Sequence, residues 1–305
     1  MTEWMLSDAA AASDLRYAAL RYFNVAGSDA DGRSGQIDLA LYDQNNFFQQ
    51  CARHCDLNVD RAKILIKHLK RQHRGAQVDP KDVEEMALLE RRWYDSLDTQ
   101  PDYSVYADPL YFCDLWLCWI IYSRKYLSLL TQPKLIDGGS ILDALSGVRT
   151  VLDVGCGAGY TTAKLKSIFP EASVYGSNFK NTAQYKMSQS LGRKFGFRVV
   201  GENPRIKSDL IFASEYFEHI QRPIEHLQEL LQRCEPNYLL VANSFTSKAI
   251  GHFSEYEYNG TRLSGREISK HFRQTLKSYG FEKVKTKCWN DRPQFWSRLP
   301  ISDSK

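Results

Sequence analysis

No apolar run in this 305-residue chain is long enough to cross a bilayer. The most apolar stretch, Leu110 to Tyr122, spans 13 residues and is interrupted by Asp114, against the roughly 20 that a spanning helix needs. A leader is missing as well. Met1 is followed by Thr2, Glu3 and Trp4 rather than by a basic segment and an apolar core, so the sequence predicts a cytoplasmic protein. Nor is there a disulfide framework: seven cysteines are an odd number in a long chain, which suits a reducing compartment. The close pairs Cys51/Cys55 and Cys113/Cys118 lack zinc-ribbon spacing and read as structural thiols. Neither sign of charge dominates, since 40 basic and 36 acidic side chains leave only +4. What is present is an ordinary globular composition, 43% apolar, 25% charged and 12% aromatic, which excludes a disordered or fibrous chain.

The small net charge averages unlike parts. Residues 1–36 carry 3 basic and 5 acidic side chains, residues 37–147 carry 13 and 16, and residues 148–305 carry 24 and 15, a surplus of +9. The middle part reads as helical. Asp79-Pro80 resembles a helix start, followed by acidic Asp82, Glu84 and Glu85 and by Met86, Leu89 and Trp93 at helical spacing. The six Lys/Arg and two His of 61–74 read as a solvated helix face, with phosphate or RNA binding as the sharper alternative. The aromatic stretch from Tyr103 to Tyr126 reads either as a helix packed on the next domain or as a lid or substrate wall. From about residue 148, short apolar runs (151–154, 174–177, 197–200, 209–213 and 238–242) alternate with helical patterns at 160–168, 181–195 and 223–234. A helix over 264–279 and a closing hairpin over 281–298 follow. This alternation predicts an α/β fold: a Rossmann-like, doubly wound, mostly parallel sheet with an antiparallel closing hairpin and a helical N-terminal extension.

The phrase Val151-Leu-Asp-Val-Gly-Cys-Gly-Ala-Gly159 ends a predicted strand and opens a helix. Glycines there let the backbone turn tightly and approach a ligand. The phrase resembles the first motif of class I S-adenosylmethionine-dependent methyltransferases, and the resemblance runs over about 148–298. It implies S-adenosylmethionine as cofactor, with Asp153 beside its methionyl part and Gly155, Cys156, Gly157 and Gly159 forming the loop it crosses. The family ends its second strand with an acid on the ribose; Asn178 stands here, followed by Phe179, which either covers the adenine or is a core aromatic. After the third strand, Glu202 or Asn203 matches the family's adenine contact. Ser214, which ends the fourth strand, is a further expected cofactor contact.

Beyond Ser214 comes Glu215-Tyr-Phe-Glu218-His219. The bland reading gives Glu218 and His219 a loop-shaping role. The other makes Glu215, Glu218 and His219 a divalent-metal corner, for an ion such as Mg2+, because one helical turn would bring i, i+3 and i+4 onto one face. The spacing resembles small-RNA 2′-O-methyltransferases and ubiquinone-pathway O-methyltransferases. His219 with Glu218, and His252 after them, are candidate groups for removing a hydroxyl proton, and His252 is also a possible fourth metal ligand. The sequence lacks the Asn/Asp-Pro-Pro-aromatic signature of nucleic-acid amino-methyltransferases and the Pro-Cys pair of cytosine C5 enzymes, so DNA is not expected as a partner. The expected reaction is O-methylation of a small-molecule or saccharide hydroxyl; the alternatives are RNA ribose 2′-O-methylation with a divalent metal, or a non-catalytic partner subunit.

Residues 1–36 contain Ala19-Leu-Arg-Tyr-Phe-Asn24-Val-Ala-Gly27 and Asp31-Gly32-Arg33, which resemble a fragment of UDP-glucose 4-epimerases. The Gly-rich NAD fingerprint and Tyr-x-x-x-Lys pair of those enzymes do not precede it, so no epimerase activity is expected. The predicted organisation is thus an epimerase-like remnant over 1–36, a helical extension over 37–147 and a methyltransferase domain over 148–300.

Overall fold

A computed structural model of the chain describes residues 43–298; the epimerase-like segment lies outside the described residues. The fold below is that of the compact unit that begins at Phe47, with the first helix starting three residues earlier at Gln44.

Five strands are parallel: β1 (Thr150–Val154), β2 (Ser173–Ser177), β3 (Arg198–Val200), β4 (Leu210–Ser214) and β5 (Tyr238–Ala242). The antiparallel pair β8 (Glu282–Val284) and β9 (Gln294–Ser297) completes a seven-stranded sheet of order β3-β2-β1-β4-β5-β9-β8. β1, β4 and β5 are almost wholly buried, which is why their sequences are continuous apolar runs rather than alternating ones. The expected doubly wound sheet and closing hairpin are therefore present. A further hairpin, β6 (Glu255–Tyr258) with β7 (Thr261–Ser264), was not among the expected elements. Asn259 and Gly260, at φ 49° and 75°, supply the left-handed two-residue turn that such a hairpin requires.

Before the sheet come α1 (Gln44–His54), α2 (Val59–His73), α3 (Glu84–Ser96), α4 (Tyr111–Cys118), a π turn (Trp119–Ser123), α5 (Arg124–Ser128) and the short α6 (Ile141–Ala144). The sheet helices are α7 (Tyr160–Ile168), α8 (Ala183–Phe195), α9 (Pro223–Cys234) and α10 (Gly265–Ser278). Their ends follow from local chemistry. Thr182 caps α8 by accepting from Tyr185 N, Gly196 ends it at φ 78°, and Ser264 with Glu267 forms a reciprocal capping box at α10. Pro80 sits at the start of a 3-10 turn capped by Asp79 and leading into α3, as expected. Tyr160 of α7 meets Trp116 at 5.3 Å edge-on and Trp119 at 6.1 Å stacked, so the aromatic stretch packs against the sheet domain.

The strand order reverses between β1 and β4. In a doubly wound sheet the crevice outside the carboxyl ends of the strands at that switch point is where ligands bind. The glycine loop and the Glu215–His219 segment leave the sheet there side by side.

Candidate active site

At the exit of β1, Asp153 is 2% exposed and accepts a 2.6 Å hydrogen bond from Thr162 Oγ1. Burial pushes its carboxyl up to about 7, against the lowering effect of Thr162. The loop glycines have different duties. A Cβ on Gly155 (φ +68°) would lie 2.1 Å from Tyr216 Cδ2, and one on Gly159 would lie 3.0 Å from Ser188 Cα. These two accommodate the chain's own packing, whereas a Cβ on Gly157 would face only Leu115 Cδ2, at 3.4 Å. Backbone open to a ligand is therefore centred on Gly157. Tyr216 is held over Gly155 by a 2.8 Å hydrogen bond between its phenol and His226 Nε2.

At the exit of β2, Asn178 is buried, with both ends of its amide engaged: Nδ2 donates to Gly157 O (2.8 Å) and Oδ1 accepts from Phe179 N (2.8 Å). It braces the glycine loop. Phe179 is 60% exposed, so it is not a core aromatic and is free to cover a ligand. Residues 201–209 return from β3 to β4 without a helix; Asn203 is exposed there, and Glu202 Oε2 is buried without a partner.

The exit of β4 differs from the helical turn expected. Glu215 adopts φ 50° and lies outside the three-residue 3-10 turn Phe217–His219. The ligand atoms that converge, all within 4.8 Å of one another, belong to Glu215, Glu218 and His252; His219, expected as the third ligand, is outside that group. Its ring stands edge-on to His252, with centroids 4.7 Å apart. Glu218 is fully buried; Oε1 accepts from Ser244 N at 2.7 Å, while Oε2 accepts from no N–H or hydroxyl donor. Burial raises the carboxyls of Glu215 and Glu218 above the usual range, and Glu215 raises Glu218 further through its charge and a hydrogen bond between the two carboxyls. Burial holds both histidines below the usual imidazole value, His219 well below it with His252 contributing, so both rings are neutral near pH 7.

The tautomers follow from the partners. His252 Nδ1 lies 2.9 Å from Ser247 O, a pure acceptor, so Nδ1 carries the proton and Nε2 is basic. The Tyr106 phenol donates to Gly251 O (3.1 Å), and its oxygen then accepts from His219 Nδ1–H (3.2 Å), leaving His219 Nε2 basic as well. The extension also grips the strap that carries His252. Trp93 Nε1 donates to His252 O at 2.6 Å, and Tyr94 Oη exchanges hydrogen bonds with Ala249 at 3.2 and 3.1 Å. A Cβ on Gly251 (φ +85°) would lie 2.5 Å from Tyr106 Oη and 2.6 Å from His219 Nδ1. Sequence reading missed Tyr106, Trp93 and Gly251; the Gly251-His252 doublet was the available signal, and the aromatics sat in a stretch that reads as packing. Partners that orient a basic histidine typically contribute 10- to 100-fold. Tyr106→Phe should therefore lower kcat about tenfold while leaving cofactor affinity within about twofold. Kinetics with the cofactor varied would check this split, and an equal loss in affinity would refute it.

A cavity of about 620 Å³ opens over these groups, running from Gly155 and Gly157 past Ser214, Glu215, His219 and His252. Its far wall comes from the extension, including Met86, Glu90, Asp114, Trp119 and Tyr122. The aromatic stretch thus both packs and forms a wall. At the seam, Ser123 in the π turn meets Ser214 Oγ to Oγ at 3.1 Å. Asn178, Phe179 and Asp153 are not on this wall. The lining carries the carboxylates of Glu90, Asp114 and Glu215 against the cations Lys248 and Arg292, so the +9 of the C-terminal half is not concentrated here.

A parallel sheet reversing at a glycine loop, with acids and histidines after the fourth strand, defines a methyltransferase-type site. A family profile described as a methyltransferase domain matches residues 124–286, more than half of the sequence. The chain belongs to the class I S-adenosylmethionine-dependent methyltransferase family. It is 28% identical over 113 residues to a malonyl-(acyl-carrier protein) O-methyltransferase of Halalkalibacterium halodurans (34% of this chain, 41% of that protein). It is 30% identical over 101 residues to a trans-aconitate 2-methyltransferase of Rhodopseudomonas palustris (32% and 38%). The chain thus spans about two-fifths of the length of these relatives. A UDP-glucose 4-epimerase of Azospirillum brasilense matches at 67% identity over 36 residues, 12% of this chain and 10% of that protein, which bears out the short N-terminal resemblance. Among solved structures, an O-methyltransferase family protein from Burkholderia thailandensis covers 70% of this chain and 69% of its own at 10% identity and TM-score 0.47. No helix among the described residues is long and apolar enough to cross a membrane.

The residues fit the family's cofactor at the loop, where Gly157 leaves backbone open beside a cavity, and less well at the ribose position, where Asn178 is already engaged. The donor set of two carboxylates and an imidazole fits a hard divalent cation.

Proposed function

We propose that the protein is an S-adenosylmethionine-dependent O-methyltransferase acting on a hydroxyl of a small molecule. Glu215, Glu218 and His252 hold a divalent cation such as Mg2+ in this reading, and His219 stands beside them. The observation that carries it is the convergence of ligand atoms from Glu215, the fully buried Glu218 and His252, all within 4.8 Å of one another. Two carboxyls buried side by side oppose each other's ionisation, and a bound cation would let both ionise. The cofactor supplies an electrophilic methyl group, and the metal supplies a Lewis acid that lowers the pKa of a nearby hydroxyl. The protein's part is orientation and proton removal. His219 Nε2, neutral and pinned through Tyr106, is placed to take the hydroxyl proton, and the walls hold the acceptor in line.

The cavity, at about 620 Å³, is of a size common for small-molecule sites, which supports a small acceptor over a polynucleotide. Its three carboxylates also weigh against a phosphate-rich one such as RNA or a phosphorylated sugar. The malonyl and trans-aconitate groups in the relatives' names are acids and fit this lining poorly. A tritiated-methyl transfer screen against extract split into small-metabolite, saccharide and RNA fractions, with and without chelator, tests the reading. Label should enter small molecules and vanish with chelator. Label confined to RNA, or transfer indifferent to chelator, would overturn the acceptor class or the metal respectively.

A further inference from the structure

We propose that Trp93, with Tyr94 beside it on α3, is a positioning residue that sets where His252 stands relative to Glu215 and Glu218. The inference rests on the metal reading above and deepens it, by giving the helical extension a part in the geometry of the ligand set. Glu215 and Glu218 follow β4, whereas His252 arrives on the strap between β5 and β6. Both ends of that strap are tied to Glu218: Ser244 N donates to its carboxylate at 2.7 Å, and Phe253 N donates to its main-chain oxygen at 3.2 Å.

The peptide plane joining His252 to Phe253 is therefore clamped on both edges. Its N–H donates to Glu218 O, and its carbonyl accepts from Trp93 Nε1 at 2.6 Å. A trans peptide is planar, with N–H and C=O on opposite edges. Two such bonds fix its rotation and with it the direction of the His252 side chain, whereas one bond alone leaves a pivot. The other two hydrogen bonds of His252 stay inside the strap and move with it: N donates to Ala249 O at 3.1 Å, and Nδ1 to Ser247 O at 2.9 Å. They leave Nε2 to ligate. Tyr94 steadies Ala249 from outside through its two bonds of 3.2 and 3.1 Å, and the Trp93 ring stands edge-on to Phe253 at 5.3 Å. Trp93 is fully buried and is not on the cavity wall, so it acts through His252 rather than by touching a ligand.

The test needs no acceptor. The full chain and its Trp93→Phe variant are titrated with Mn2+, read by electron paramagnetic resonance, and separately with S-adenosylhomocysteine, read by calorimetry. Phenylalanine keeps a ring against Phe253 and deletes the indole N–H. Partners that orient a metal ligand typically carry 10- to 100-fold in affinity, so Mn2+ should bind the variant about tenfold more weakly, with S-adenosylhomocysteine within about twofold. Tyr94→Phe removes one oxygen from a half-buried position and should weaken Mn2+ to a smaller extent; it carries the test if Trp93→Phe fails to fold in a thermal melt. Trp116→Phe controls for general loss of packing, because its indole N–H is as buried but has no partner, and its Mn2+ affinity should match wild type. Unchanged Mn2+ affinity in the folded variant of Trp93 or Tyr94, or an equal loss in Trp116→Phe, overturns the positioning role. A wild-type chain that leaves Mn2+ free would instead sink the metal reading and this inference with it, a pattern distinct from the other two.

Discussion

Glu218→Gln is expected to abolish divalent-cation binding and to lower methyl transfer about a hundredfold or more, at least the upper range seen when groups that merely support metal ligands are removed. The substitution is chosen to leave the fold intact. The glutamine amide would keep an oxygen to accept from Ser244 N, the 2.7 Å bond that anchors this turn to the exit of β5. It would replace the other carboxylate oxygen, Oε2, by a neutral NH2 group that cannot ligate. Burial and Glu215 already hold the Glu218 carboxyl towards its neutral form, which the amide imitates, so the apo variant should be about as stable as wild type while losing activity. Electron paramagnetic resonance of added Mn2+ reads the binding, and a labelled-methyl assay reads the rate. Wild-type protein that leaves Mn2+ free in solution, or a variant as active as wild type, would remove the metal from the mechanism.

The second large effect concerns Asp153. Its folded-state value of about 7 lies above the ordinary 3.8, so the folded protein holds an extra proton between those two values. The associated stability is fully present below about pH 4 and is lost as the pH rises through about 7, a change on the order of 4 kcal/mol across the window. Asp153→Asn keeps an acceptor for Thr162 Oγ1–H and carries no charge to desolvate. Its stability advantage over wild type should therefore be near zero at pH 4 and grow to roughly that amount by pH 8. The buried histidines push the other way: with folded values below 6.5, they contribute stability above 6.5 that is lost on acidification. They are common to both proteins and cancel in the difference. Urea unfolding of the two chains at several pH values measures it, and parallel profiles would show that Asp153 is not the strained carboxyl. Because Asp153 is off the cavity wall, the same variant should bind S-adenosylhomocysteine within a few-fold of wild type.

Much of the sheet domain was legible because its signals are local. Continuous apolar runs bounded by turns mark strands buried on both faces, and the observed strands fall within a residue or two of the predicted runs. The β6–β7 hairpin escaped because Glu255-Tyr-Glu-Tyr258 has no apolar run, although its Asn-Gly turn was in plain view. The site was legible only in pieces. Glu215, Glu218, His219 and His252 were each candidates, but spacing suggested a helical turn carrying Glu215, Glu218 and His219. The chain instead turns through a left-handed Glu215 into a short 3-10 turn, and brings His252 in from the strap after β5.

The alternation of strands with helices around the glycine phrase sufficed by itself to predict the doubly wound sheet, and the resemblance of that phrase pointed to the family whose profile matches residues 124–286. These depend on backbone conformation and hydrophobic periodicity, which each short window carries within itself. The contacts of Tyr106 with His219 and Gly251, and the place of Asp114 on the cavity wall, came only from the tertiary structure. Both residues come from an aromatic helical stretch more than 30 residues before the glycine loop, where the sequence reads as packing, and packing is indeed most of what that stretch does. Whether a buried phenol or carboxylate there meets a neighbour's acceptor, a basic histidine or an open cavity depends on which distant loop the fold sets against it, and no local pattern encodes that choice.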